Sequence, residues 1–270
     1  MINTFYNHVV EAMEQEKLTL GEVASRIREH GITGVEIDYR DLNPDGKSFN
    51  RELAQKLKEA GIPIYGVYVF FDWAKHPFDN SYKRIYKELQ SIGVKYSLAI
   101  PGMVPEGMEI NKARERMCKK LLKAVAYAKT CGITVLMEDF DDSIAPFSTS
   151  EGMLYFFDRI PDLKCAFDTG NFYYSNEDVL EVLPKFLDRT AYVHCKDRSL
   201  EVKEKEEPKL TVTGEAMYSA PVGGGIIPFD KIIPILKEHG YQGDYVVEHF
   251  GSKHQLQDMI ASVEYLKTIV

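Results

Sequence analysis

The sequence predicts an α/β fold, a closed parallel (β/α)8 TIM barrel formed as a single domain over residues 1–270. Three observations predict it. Strand-like runs alternate with amphipathic helical runs along the whole chain, eight of each. Gly31, Gly61, Gly93, Gly132 and Gly240 each close a helical run just before a strand, where a left-handed cap belongs. Four of the strand runs end in a carboxylate or an imidazole, and a parallel barrel brings those ends to one rim.

The strands are expected at 2–6, 33–38, 63–70, 95–100, 133–138, 163–168, 190–195 and 245–249. Helices are expected near 19–30, 50–60, 79–92, 111–131, 149–159, 177–188, 229–239 and 254–269. Leu20, Val23, Ala24 and Ile27 fall at helical spacing in the first helix, and Leu256, Ile260, Val263 and Leu266 do so in the last; both stripes read as core-facing surface. The rhythm breaks once. A long rim loop at about 198–225, carrying the charged run Glu201-Val-Lys-Glu-Lys-Glu-Glu207, leaves the seventh strand, and it reads equally as a lid or as a solvated excursion.

Composition bounds the partners. Hydrophobic residues at 44% and charged residues at 27% are ordinary for a globular protein able to bury a full core. A net charge of -8 argues against nucleic acid and anionic membrane surfaces, both of which require clustered Lys and Arg. A small anionic substrate stays open, and so does a homo-oligomer. No apolar run approaches the roughly 20 residues that cross a bilayer. Met1 to His8 shows no basic stretch followed by an apolar one, so a cytoplasmic location is expected. Cys118, Cys131, Cys165 and Cys195 lack close pairing and read as reduced, buried residues.

The chemistry is concentrated at four strand ends: Ile133-Thr-Val-Leu-Met-Glu138, Leu163-Lys-Cys-Ala-Phe-Asp168, Thr190-Ala-Tyr-Val-His194 and Asp244-Tyr-Val-Val-Glu248. Separations of 30 and 26 residues fit one β/α unit each, and the 54 between His194 and Glu248 fit one unit enlarged by the loop. Strands five to eight would then each supply one ligand to a shared metal. Strand alternation places Leu136, Ala166, Tyr192 and Val246 beneath the ligands and turns His249 away from them. Taken singly, a carboxylate at a strand end is usually a loop residue or a helix cap; the joint pattern is what points to a metal. Three carboxylates and one imidazole suit Mn²⁺, Mg²⁺, Co²⁺ or Zn²⁺, with an open position for substrate.

Met137-Glu-Asp139, Phe167-Asp-Thr-Gly-Asn171, Val193-His-Cys-Lys-Asp197, Val222-Gly-Gly-Gly-Ile-Ile-Pro-Phe-Asp230 and Tyr241-Gln-Gly-Asp-Tyr-Val-Val-Glu248 together resemble the xylose-isomerase-like barrel superfamily, in its sugar (phosphate) isomerase/epimerase branch. The first half matches more loosely, through His30-Gly-Ile-Thr-Gly-Val-Glu-Ile37. The resemblance implies one divalent ion held by Glu138, Asp168, His194 and Glu248, with Glu138 and Glu248 also exchanging a proton with a small sugar-like substrate. That ion would polarise a ketose carbonyl and stabilise the enediolate formed on proton loss. Many relatives carry histidine three residues after the metal-binding aspartate, where this chain has Asn171, which cannot shuttle a proton.

Asn171, Lys196 and Arg198 are candidate substrate contacts. Lys196 is favoured because it shares strand parity with His194. Trp73, the only tryptophan, could stack on a sugar at the barrel mouth or cap the core, and Glu36 is a further candidate contact. The leading reading is a metal-dependent isomerase or epimerase. An inosose-type dehydratase on the same site and a non-catalytic metabolite-binding barrel are the alternatives. The DNA-repair endonuclease branch fits poorly, since most of the seven histidines lie away from strand ends.

Overall fold

A computed structural model describes residues 1–270. Ten strands are present: β1 (Ile2–Phe5), β2 (Ile32–Asp38), β3 (Ile64–Phe70), β4 (Tyr96–Ile100), β5 (Thr134–Met137), β6 (Lys164–Asp168), β7 (Thr190–Ser199), β8 (Lys209–Leu210), β9 (Ala216–Ala220) and β10 (Asp244–Glu248). The first seven and β10 run parallel. Because β10 pairs with both β1 and β7, these eight strands close into a barrel without an open edge. All eight expected strands are therefore barrel strands, and helices separate them.

Local chemistry accounts for most boundaries. The helix Leu20–Glu29 starts at a capping box, in which the Thr19 backbone donates to Glu22 at 2.8 Å and the Glu22 backbone donates to Thr19 Oγ1 at 3.3 Å. The five glycines expected as caps all have positive φ, from 72° at Gly132 to 102° at Gly31. Besides the short helices Tyr39–Leu42 and Asn171–Tyr174, one longer helix, Tyr6–Glu16, is additional to the expected set. Its start at Phe5 lacks a side-chain cap, and it ends at Lys17 in the left-handed region rather than at a glycine. Both usual sequence signals are missing there. The helix expected at 177–188 is broken up, into Val179–Val182 and two short 3₁₀ turns around Pro184.

The interior of the barrel is filled below the rim. Tyr65, Tyr96 and Tyr192 bring their ring centroids within 5.3–5.7 Å of one another, plugging the barrel beneath the strand ends. All four cysteines are buried and unbonded, as expected. No helix is long and apolar enough to cross a membrane.

The largest departure lies after His194. The seventh strand does not stop at Cys195 but continues to Ser199, and its last residues pair antiparallel with β9, which in turn pairs with β8. The expected loop at 198–225 thus contains a short antiparallel ribbon, from which Lys209 reaches the rim, joined by irregular segments. The charged sequence Lys196-Asp-Arg-Ser hides this extension from a hydrophobicity pattern. Asp197 fastens the far end of the ribbon. Its carboxylate is 1% exposed and accepts hydrogen bonds from the backbone N–H groups of Arg198, Gly223, Gly225 and Ile227 at 2.8–3.0 Å. At Gly225 any Cβ would collide with the Arg198 carbonyl and the Asp197 carboxylate, so glycine is required by close approach.

Asp197→Ala removes one charged acceptor from four backbone donors at once. The expected loss is about 3 kcal/mol, because the stranded donors of Arg198 and Ile227 are buried and each carries its own desolvation cost, while those of the exposed Gly223 and Gly225 can turn to water. Thermal unfolding of the variant against the parent measures it; an unchanged midpoint would show that the loop is held by other contacts.

Candidate functional site

The barrel carries out the convergence that the strand ends imply. Glu138 follows the last residue of β5, Asp168 ends β6, His194 lies within β7 and Glu248 ends β10. His194 Nδ1 stands 2.6 Å from Glu138 Oε2 and 3.6 Å from Glu248 Oε2. Ligand atoms of Glu138, Asp168 and His194 lie within 4.8 Å of one another. Glu138, Asp168 and His194 thus form one cluster, and Glu248 stands beside His194.

The donor set fits a divalent cation. Asp168 Oδ1 is occupied by the backbone N–H groups of Gly170 and Asn171 at 2.7 and 2.8 Å, while its buried Oδ2 has no hydrogen-bond partner. A buried, unpaired carboxylate oxygen aimed into a cluster of acids is costly unless a cation meets it. Carboxylate oxygens with one imidazole nitrogen form the mixed set that such ions take.

Electrostatics express the same crowding. Burial pushes the Glu138 carboxyl up to about 7 against the pull of His194. Burial likewise raises Asp168 to about 6, opposed chiefly by Lys196. Burial alone would lower the His194 pKa, but Glu138 and Glu36 override it and hold the imidazole well above its ordinary value. Negative charge is in excess here.

A cavity of about 470 Å³ opens above this cluster, and Glu138, Glu248, Asn171, Lys196 and Arg198 all line it. Lys196 Nζ lies 2.7 Å from Glu248 Oε1, donates to Asn171 Oδ1 at 2.7 Å and approaches Asp168 Oδ2 at 3.9 Å. The parity argument for Lys196 therefore places it correctly. Arg198 donates to Asp141 at 2.8 Å, and Lys209 from the ribbon lies 3.7 Å from the same carboxylate. Burial would raise the Asp141 carboxyl, but Lys196, Arg198 and Lys209 together draw it far down.

Two candidate substrate contacts are corrected. Trp73 is fully buried, stacked on Phe71 with centroids 4.0 Å apart and edge-on to Tyr82, so it packs the wall behind β3 and is absent from the cavity. The aromatic walls come instead from Phe5, Tyr68, Phe70, Phe140 and Phe250. Glu36 is also fully buried and does not line the cavity. Its carboxylate accepts from Tyr192 at 2.9 Å and meets His194 Nε2 at 3.0 Å. Sequence reasoning missed Asp141 and Lys209. The first sits in the acidic run Asp139-Phe-Asp-Asp142 just past Glu138, a usable signal; the second reaches the cavity only through the ribbon. His249 turns away as expected, with its ring on Ser262 Oγ at 2.7 Å.

Comparison with known proteins adds three kinds of finding. The model of the family described as xylose isomerase-like TIM barrel matches residues 24–269. A segment of 90 residues is 42% identical to inosose dehydratase of Bacillus anthracis (strain CDC 684 / NRRL 3495), and it covers 32% of this chain and 30% of that enzyme. The chain thus matches less than a third of that curated relative's length. Among solved structures, the IolI protein with a bound zinc atom superposes with TM-score 0.76 at 16% identity, over 100% of this chain and 97% of that one. D-psicose 3-epimerase of Clostridium cellulolyticum H10, solved with D-tagatose, gives TM-score 0.70 at 14% identity, over 99% and 98%. At these identities the structural likeness speaks for the fold alone.

Proposed function

The chain belongs to the xylose isomerase-like TIM barrel family, and from that premise we propose that it is a divalent-metal-dependent enzyme that isomerises or epimerises a small sugar or related keto-polyol. The observation that supports this reading is the cluster of Glu138, Asp168 and His194, with Glu248 3.6 Å from the imidazole, beneath a sugar-sized cavity that both glutamates line. Those four residues would hold Mn²⁺, Mg²⁺, Co²⁺ or Zn²⁺. When bound, the ion supplies positive charge at the substrate's carbonyl and hydroxyl oxygens, which eases loss of the neighbouring C–H proton.

The remaining work falls to the chain. Glu138 and Glu248 come from strands that are not neighbours, so they approach a bound ketose from different directions. One carboxylate takes the proton from carbon. The other returns a proton to the opposite face for epimerisation, or to the adjacent carbon for aldose–ketose isomerisation. Lys196 and Asn171, already bonded to each other, orient hydroxyls beside Glu248. Phe5, Phe140 and Phe250 offer apolar faces to the C–H side of a sugar and exclude water.

The inosose dehydratase match favours a second reading on the same residues. There the carbanion equivalent expels the hydroxyl of the next carbon as water, and the carboxylate that took the carbon proton passes it to the departing hydroxyl. The products differ in light absorption, because dehydration creates a conjugated enone or dione.

Chelator-stripped protein, reloaded with each of the four ions, should therefore turn over members of a ketose, ketose phosphate and inosose panel. Chromatography reports isomers, and ultraviolet absorbance reports dehydration. Failure to bind one equivalent of any of these ions would overturn the reading.

A further inference from the structure

We infer that Glu36 is a positioning residue that decides which nitrogen of His194 faces the metal-binding carboxylates. This rests on the metal-dependent reading above. Glu36 lies on β2, its carboxyl group is fully buried, and no lysine or arginine pairs with it. Its partners are the Tyr192 hydroxyl, 2.9 Å from each carboxylate oxygen, and His194 Nε2 at 3.0 Å. The single Tyr192 proton is donated to Glu36, since an ionised carboxylate only accepts. The remaining contact is satisfied when Nε2 carries a proton and donates it to Glu36.

When a cation displaces the proton shared between Nδ1 and Glu138 at 2.6 Å, that assignment leaves the Nδ1 lone pair facing it. Nδ1 is the ring atom near Glu138 and Glu248, at 2.6 and 3.6 Å. Glu36 would therefore hold the imidazole in the tautomer that can bind a cation and make it a stronger donor, as carboxylates behind metal-bound histidines do. Tyr192 sits two residues before His194 on the same strand face and pins the carboxylate from below. Glu36 lies outside the cavity, so a substrate bound there does not touch it.

Zinc titration of chelator-stripped protein by calorimetry tests the assignment without reference to activity. Glu36→Gln keeps the shape and removes the charge; it should weaken zinc binding about 10- to 100-fold. At saturating zinc its KM for any substrate found should match the parent's, because a positioning residue makes no substrate contact. Tyr192→Phe leaves the carboxylate but removes its anchor, and should weaken zinc binding several-fold; it also serves if Glu36→Gln does not fold. Nitrogen-15 spectra of the zinc-loaded parent should show His194 protonated at Nε2. Parent-like zinc affinity in Glu36→Gln, or in Tyr192→Phe where that variant stands in, or coordination through Nε2, would overturn the inference. Tight zinc binding by the parent without turnover of any ketose would instead sink the functional reading and leave this one standing.

Discussion

Glu138→Gln and Glu248→Gln should each abolish most turnover, by about 10²- to 10⁴-fold where the lost group is the proton carrier. The two variants are not expected to fail in the same way. In an epimerase with one carboxylate working each face, a variant that retains one base still removes the proton on that side. In heavy water it should then wash deuterium into one epimer of the substrate while net conversion stays blocked. The partner variant should do so with the other epimer.

Metal content must be measured alongside, since both side chains are also proposed ligands. Glu138, but not Glu248, offers a ligand atom within 4.8 Å of those of both Asp168 and His194, so the Glu138 variant should lose more metal affinity than the Glu248 variant. If both variants keep parental turnover with full metal occupancy, the proton-transfer roles are wrong. If both lose turnover but neither exchanges deuterium with any substrate, a single residue elsewhere performs the abstraction.

The strand phase of this chain was legible; depth and lateral direction were less so. Glu138, Asp168 and Glu248 sit at or just beyond the last barrel-paired residues, His194 stands two residues before Lys196, the last of β7 to pair in the barrel, and the period-2 alternation correctly put Tyr192 beneath His194 and Lys196 above it. Glu36 has the right phase as well, but it lies two residues short of the end of β2 at Asp38 and meets the Nε2 side of His194, away from the other carboxylates.

Trp73 failed for a different reason. Beyond β3 the chain turns outward, and the indole packs on Phe71 and Tyr82; nothing in the local pattern encodes that direction. The ribbon after His194 was obscured by its own polarity. Its pairing depends on β9, some twenty residues onward, and on four backbone donors gathered by Asp197. Contacts of that kind leave no periodic trace.

Lys196→Met should produce the largest change in stability, and its direction should depend on metal. The ammonium is 8% exposed and lies 2.7 Å from Glu248 and 3.9 Å from Asp168, while Arg198 is committed to Asp141. Removing it leaves buried carboxylates facing one another, which costs about 3–5 kcal/mol when one partner of a buried pair is deleted. In chelator-stripped protein the thermal midpoint should fall accordingly. A divalent ion brings positive charge to the same oxygens, so Zn²⁺ or Mn²⁺ should raise the midpoint of the variant by more than it raises that of the parent. Equal midpoints for stripped parent and variant would mean that the lysine is unpaired in solution. A deficit that metal does not narrow would mean that lysine and ion act on separate carboxylates. Should turnover at saturating metal also fall, the same side chain both balances the acidic cluster and touches the substrate, as its place on the cavity wall beside Asn171 leads one to expect.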